Sequence, residues 1–390
     1  MEPPPQDLPA RFHRLINELR GDTLSSLELD VQDDRELHQH ASRNADALAE
    51  AFYANQWLKT IRIDLDMLSS MKTSLRKSFL QAMWRKQHLS TLCIGRVNNV
   101  CARLLLSELA DTIPTLEHTT DVGARLRFLS IEGLFVESMD EVHRFVQALR
   151  AWGRVKELWR IRFAFLGVHE TGAAAALETN QGILDPLLEF MGEVADSTKF
   201  QFIALCPLEN DPAKVTYERS TIPLIGPVAA ERFISSFSGS TFSGKSSSVV
   251  LNSLGLNDAI VHKITSTLQT RQHHLREIHL GQNPALTRRS LEYWMTAIDQ
   301  SENLTSVILG KDDWDATLKL HVKLNEFGRR QAVQDGLYQD QAVWVAWLAK
   351  LARVERLAQK FYFQKYSRDN DALTLTSLYL SVRGQPNFIR

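Results

Sequence analysis

One short segment has the spacing of a phosphate-binding loop. Gly239 is followed, after four residues, by Gly-Lys-Ser at 244–246. In a working loop of this kind the backbone amides and a helix N-terminus hold the phosphates, so a strand precedes the glycines and a helix follows them. Here the apolar pattern predicts the reverse order, with a helix over 229–237 and a strand over 249–256. Nucleotide binding through Lys245 is therefore the least favoured function, and a serine-rich surface loop is favoured instead.

The histidines and cysteines do not form a recognisable metal motif. His38 and His40 are two residues apart, a spacing that points them away from each other on a helix, and His273 and His274 are adjacent. No histidine is combined with a cysteine at zinc-site spacing. We therefore expect solvent-exposed histidines, no metal site and no other cofactor.

The remaining candidates for catalysis are equally unspecific. Asp312, Asp313 and Asp315 lack the glycine and the distal glutamate of a calcium loop, and they are typical of residues that cap a helix or turn. The sequence contains no Gly-x-Ser-x-Gly nucleophile elbow and no cysteine beside a convincing histidine partner. We assign no catalytic residue, and we expect a protein that is not an enzyme.

The dominant pattern concerns the elements that would position any site. An apolar residue is followed by others three and five positions later, and the best copy is Leu275, Ile278, Leu280 with Asn283. The copies begin at Leu24, Leu58, Leu89, Leu126, Leu158, Phe200, Leu251, Leu275 and Leu304. The second and third apolar positions share one face of a strand, and amphipathic helical stripes follow most copies. Such a strand–helix unit buries its apolar face only when it is stacked against neighbours.

These triplets resemble the leucine-rich repeats of the ribonuclease-inhibitor type over residues 23–315. The resemblance implies an α/β solenoid, or horseshoe, with a parallel concave sheet, outer helices and helical caps, and it implies a binding role. The asparagine of the repeat is mostly replaced in this sequence, so we expect irregular turns. We also expect irregular insertions near 206–248. The segment 324–330 and the tryptophan-rich stretch after it are similar to the tails of mostly uncharacterised leucine-rich repeat proteins of microalgae.

The two ends of the chain are expected to cap the stack. Residues 1–22 are interpreted as an N-terminal tail with a capping helix over 8–20, which ends near Gly21. Residues 316–390 are interpreted as a mostly helical C-terminal cap, in which Trp344 and Trp347 would cover the last unit. A second loop is expected over 209–223.

The positions between the apolar residues of each triplet would face the concave side. Among them, Phe128 and Phe202 would place aromatic rings on this surface, with Arg160 and Arg162 between them. Because aromatic and arginine side chains are the usual anchors of protein interfaces, we expect these four residues to bind a protein or peptide with acidic and apolar groups. The alternative is that an inserted loop, such as the serine-rich one, covers both rings.

Composition limits the compartment and the class of partner. The chain has 45 basic and 46 acidic residues and a net charge of −1, which argues against nucleic acid or a membrane surface as partner. Its 3 cysteines are too few for a disulfide framework, and its N-terminus lacks the features of a signal peptide. We therefore expect a cytoplasmic, monomeric, non-catalytic scaffold that binds another protein. The alternatives are a ubiquitin-ligase adaptor, a regulator of a small GTPase or, least favoured, an NTPase.

Overall fold

The computed structural model describes residues 8–29, 40–41, 43–95, 104–114, 126–196, 200–207, 222–238, 247–270, 272–301 and 303–326. The strands are β1 Ser26–Leu29, β2 Thr60–Asp64, β3 Thr91–Gly95, β4 Leu104–Leu105, β5 Phe128–Val136, β6 Arg160–Val168, β7 Phe202–Pro207, β8 Ser247–Val250, β9 Leu275–His279 and β10 Ser306–Ile308. The helices are α1 Leu8–Arg20, α2 Ala45–Ala54, α3 Leu65–Ser70, α4 Thr73–Arg85, α5 Leu106–Thr112, α6 Met139–Trp152, α7 Glu170–Glu178, α8 Asp185–Ala195, α9 Pro227–Ser235, α10 Asp258–Thr270, α11 Arg288–Gln300 and α12 Asp312–Glu326.

The strands form one parallel sheet whose order follows the chain. The path is β1-β2-β3-β5-β6-β7-β8-β9-β10, and the two-residue strand β4 pairs with the far end of β5 outside this path. Each pair along the path is parallel. Parallel neighbours require a crossover between them, and helices supply most of these crossovers. The predicted α/β class with a parallel sheet is confirmed, and the arrangement is solenoid-like.

The helices form a layer over one face of the sheet. Most helices contact the next helix along the chain, from α1 to α12. There are two exceptions. The short α3 packs on β2, so that α2 contacts α4, and α6 contacts α8. The second apolar position of each unit points into the core between the two layers, and these residues are at most 5% exposed: Leu27, Ile61, Leu92, Leu129, Ile161, Ile203, Val249, Ile278 and Val307. Burying a large apolar side chain contributes roughly 1.5–3 kcal/mol, so stacking of units stabilises the whole array.

One predicted strand was misplaced. We expected a strand over 249–256, in the triplet that begins at Leu251, but β8 is Ser247–Val250. In the register of the sheet Val249 lies between Ile203 and Ile278, so it occupies the second apolar position of its unit. The first position of this unit holds a serine, and the residues after the strand repeat the same apolar spacing by coincidence. The residues that follow Leu251 belong to the turn after the strand.

The described part of each end agrees with the predicted helices. Helix α1 confirms the helix expected over 8–20, and its Phe12, Ile16 and Leu19 are buried. Helix α12 begins at the predicted acidic cluster, where the Asp315 carboxylate accepts hydrogen bonds from the amides of Leu309 (2.6 Å) and Gly310 (3.0 Å). The predicted tryptophan-rich cap and most of the loop expected over 209–223 lie outside the described residues.

Candidate functional site: the open face of the sheet

The side of the sheet opposite the helices, which we call the open face, carries two rows of aligned side chains. The first row is Ser26, Thr60, Thr91, Phe128, Arg160, Phe202, Ser248, Glu277 and Ser306. The second row, two residues further along each strand, is Glu28, Arg62, Cys93, Ser130, Arg162, Ala204, Val250, His279 and Ile308. Each row thus places side chains from distant parts of the sequence next to one another.

The sheet brings the four predicted site residues together. Phe128, Arg160 and Phe202 are direct neighbours on β5, β6 and β7, and we call these three the aromatic–arginine row. Arg160 is exposed, whereas the two phenylalanine rings are half-buried. Arg162 lies two residues along β6 in the second row and is also half-buried. Their role in partner binding remains a prediction.

A small apolar cluster on the open face supports one end of this row. Ala164, Leu166, Ala204 and Cys206 are all buried, and the partly buried Phe202 packs against them together with Val250. Because the ring is held from one side, Phe202 can offer its remaining surface to a partner with little loss of conformational freedom. Sequence reasoning missed this cluster, although a run of small apolar residues at open-face positions of β6 and β7 was a visible signal.

The two arginines have different electrostatic surroundings. Arg162 approaches Glu132, with 3.4 Å between its Nε and the carboxylate Oε1. The Glu132 side chain lies against Gly95 on β3, where a Cβ atom would come within 2.9 Å of its Cγ. Because Gly95 has no Cβ atom, the Glu132 side chain can occupy this space. The guanidinium of Arg160, by contrast, forms no ion pair or side-chain hydrogen bond with the residues that the structure describes.

The thiol of Cys93 lies in the second row, but it is not a reactive nucleophile. Burial raises the pKa of this thiol to about 12, and the charges of Glu132 and Glu28 act in the same direction. The nearby Arg62 opposes the shift without cancelling it. Since only the thiolate is nucleophilic, the open face offers an inert, protonated sulfur at this position.

The histidine expectation was wrong for His273. This residue is 3% exposed, and its Nε2 lies 3.0 Å from the Ser301 hydroxyl oxygen. Burial, with a smaller effect from His274, lowers the pKa of His273 to about 4, so the ring is neutral. Stacking of the units covers the start of β9, which sequence spacing does not reveal. Over the described ranges, no group of three or more metal-ligating side chains is placed to hold an ion.

The phosphate-loop match lies outside the described residues, from 239 to 246. The elements on either side are described, and they are the helix α9 before the segment and the strand β8 after it. This is the predicted order, which is the reverse of the arrangement in a phosphate-binding loop.

Comparison with known proteins adds no family assignment. No protein-family model matches the chain, and no curated protein sequence matches it. Among the helices of the described ranges, none combines the length and the apolar character needed to cross a lipid bilayer.

Proposed function

We propose that this chain is an intracellular, non-catalytic leucine-rich repeat protein of the ribonuclease-inhibitor type, and that it binds another protein through its open face. The observation that carries the proposal is the aromatic–arginine row, in which Arg160 is exposed, and has no ion pair with a described residue, between the half-buried rings of Phe128 and Phe202. Aromatic and arginine side chains dominate the binding energy of protein interfaces.

The repeat assignment is supported by the spacing of the last units. Val249 and Ile278, which pair in the register, are 29 residues apart, as are Ile278 and Val307. This interval lies at the upper end of the leucine-rich period of about 20–29 residues. Each unit consists of a short strand followed by a helix, and the strand order is the order of the chain.

The site is suited to binding because part of it is already rigid. Phe202 rests on the buried open-face cluster. Rigid side chains lose less entropy when a partner docks, so more of the contact energy appears as affinity. The Arg160 side chain has no ion pair or hydrogen bond with any of the described residues, so an acidic group of the partner would pair with it without breaking a contact to them.

The proposal is tested by site-directed photo-crosslinking. The full chain carries p-benzoylphenylalanine in place of Phe202, and it is irradiated in an extract of the source cells. The matched control carries the same residue in place of Val228, which is 53% exposed on α9 in the helix layer. We expect a discrete protein adduct from position 202 that is absent from position 228. Identical adducts at both positions, or none at 202, would overturn binding through the open face.

Charge reversal gives a second, independent test. Arg160→Glu combined with Arg162→Glu is expected to abolish capture of the crosslinked partner, because both cations of the site become anions. Arg144→Glu makes the same kind of change on the exposed side of α6, between β5 and β6 in the chain, and it should leave capture unchanged. Circular dichroism confirms that each variant is folded. Capture that survives the double reversal would remove the two arginines from the site.

A further inference from the structure

The spacing of the aromatic–arginine row sets a geometric requirement for whatever occupies it. Neighbouring strands of a sheet are about 4.8 Å apart, so Phe128 lies roughly one such step from Arg160, and Arg160 one step from Phe202. The two rings are therefore separated by about 10 Å along a line perpendicular to the strands. The row is short, because its next neighbours on either side are the small residues Thr91 and Ser248.

The two regular backbone structures meet this requirement differently. In an extended strand, side chains on one face recur at about 6.6–6.8 Å, which does not match a step of about 4.8 Å. On a helix, residues three or four apart are about 5–6 Å from each other, and seven residues span about 10.5 Å. A helix that crosses β5, β6 and β7 can therefore place three successive side chains of one face over the three residues of the row.

The charge of Arg160 indicates which kind of side chain the partner's helix would place at the centre of the row. Arg160 is an exposed cation without an ion pair among the described residues, and in the register of the sheet it lies between Phe128 and Phe202. The neighbouring Arg162 already faces Glu132. One acidic group is thus needed at the centre of the row, and an apolar group is needed over each ring.

We infer that the partner docks through an amphipathic α-helix lying across β5, β6 and β7, with an acidic residue between two apolar ones at positions i, i+3 or i+4, and i+7. The inference rests on the proposed function, because it names the element of the partner that the open face takes. It requires contacts by Phe128 and Phe202 with one and the same segment, about two helical turns long.

Mapping of crosslinks tests the shape of the bound segment. Full chains with p-benzoylphenylalanine at position 128 or 202 are crosslinked in cell extract, and the modified residues of the partner are located by mass spectrometry. We expect the two adducts to lie about seven residues apart in one segment. Adducts about three residues apart would indicate an extended segment, and adducts in unrelated segments would indicate a composite surface. Either result would overturn the helix and leave the proposed function intact, whereas no adduct at either position would overturn both.

Charge exchange tests the acidic residue. A synthetic peptide spanning the mapped segment is titrated against the full chain by fluorescence anisotropy. Arg160→Glu should weaken its binding by at least about tenfold, and replacement of the central acidic residue of the peptide by arginine should restore most of the loss. Arg144→Glu serves as the control and should leave the affinity unchanged. A loss with Arg160→Glu that the exchanged peptide does not restore would overturn the acidic residue at the centre.

Discussion

The side-chain oxygen of Asn283 holds the backbone amide of Leu254, 2.9 Å away in the preceding strand–helix unit. The same oxygen accepts a hydrogen bond from the amide of Leu256 at 3.0 Å, and the amide nitrogen of Asn283 donates to the carbonyl of Leu280 at 2.7 Å. Asn283 is 2% exposed, so none of these backbone groups has water as a ready substitute. One side chain thus joins the turns that follow β8 and β9.

Asn283→Ala is expected to destabilise the fold by about 2–4 kcal/mol, because it leaves two buried amides without acceptors. Asn252→Ala is the matched control, since Asn252 is half-buried and its oxygen accepts one amide hydrogen bond, from Gly281 at 2.8 Å. The control should cost about 1 kcal/mol. Urea unfolding followed by circular dichroism measures both variants. Equal losses would show that Asn283 does not join the two turns.

Gly255 and Gly153 form a matched pair for testing close packing in the turns. Both residues have left-handed backbone angles, with φ values of 67° and 70°. A Cβ atom on Gly255 would lie 2.2 Å from the carbonyl oxygen of Ile222, whereas a Cβ atom on Gly153 would meet nothing within 4 Å. Gly153→Ala should therefore cost about 1 kcal/mol, from backbone strain alone. Gly255→Ala should cost about 3 kcal/mol or more, because overpacking is added to the strain. Thermal unfolding compares the two, and a similar cost for both would argue against the close approach at Ile222.

His273 makes the stability of the protein depend on pH. Its pKa falls from 6.5 to about 4 in the folded chain, so below pH 6.5 the unfolded state binds a proton that the native state does not. Stability is therefore lost as the pH falls from 6.5 towards 4, by about 3 kcal/mol in total. His273→Gln should lose correspondingly less over the same range, as measured by urea unfolding at a series of pH values.

Asp185 also makes the stability depend on pH, so the urea experiment must compare the wild type with His273→Gln. Burial raises the pKa of the Asp185 carboxyl from 3.8 to about 6, although the amides of Gly182 and Gly226 donate hydrogen bonds to it. The native state then binds a proton more readily than the unfolded state, so this group adds stability as the pH falls through that range. Its effect opposes that of His273 but is common to both proteins. Parallel pH profiles of the wild type and His273→Gln would exclude His273 as the source.

Cys93 should resist alkylation. With the pKa raised from 9.0 to about 12, its thiolate fraction at mildly alkaline pH is about a thousandfold below that of an unperturbed thiol. Iodoacetamide labelling followed by mass spectrometry should therefore modify Cys93 far more slowly in the folded chain than in urea. Labelling at the same rate in both states would show that the thiol on the open face is reactive.

Much of the sheet could be predicted because apolar spacing records strand alternation directly. Apart from the copy at Leu251, the second apolar position of every triplet lies in the register of the sheet. That copy failed because its unit lacks an apolar residue at the first position. The strand β4 could not be predicted, since two residues carry no pattern and their pairing with Leu134 and Phe135 is purely tertiary.

The candidate site could likewise be predicted only in part from the sequence. The adjacency of Phe128, Arg160 and Phe202 follows from alignment of the triplets, because each residue stands immediately before a second apolar position. The contact of Arg162 with Glu132 could not be predicted, since it depends on the space above Gly95. The burial of His273 was equally hidden, because it arises from how neighbouring units cover the start of a strand.

The strand order that follows the chain makes the molecule modular. Each strand along the path of the sheet pairs only with the units before and after it in sequence. Duplication or deletion of one whole unit would lengthen or shorten the sheet by a single step of about 4.8 Å and would leave every other pairing in place. Evolution can therefore change the length of the sheet without changing the aromatic–arginine row at its centre.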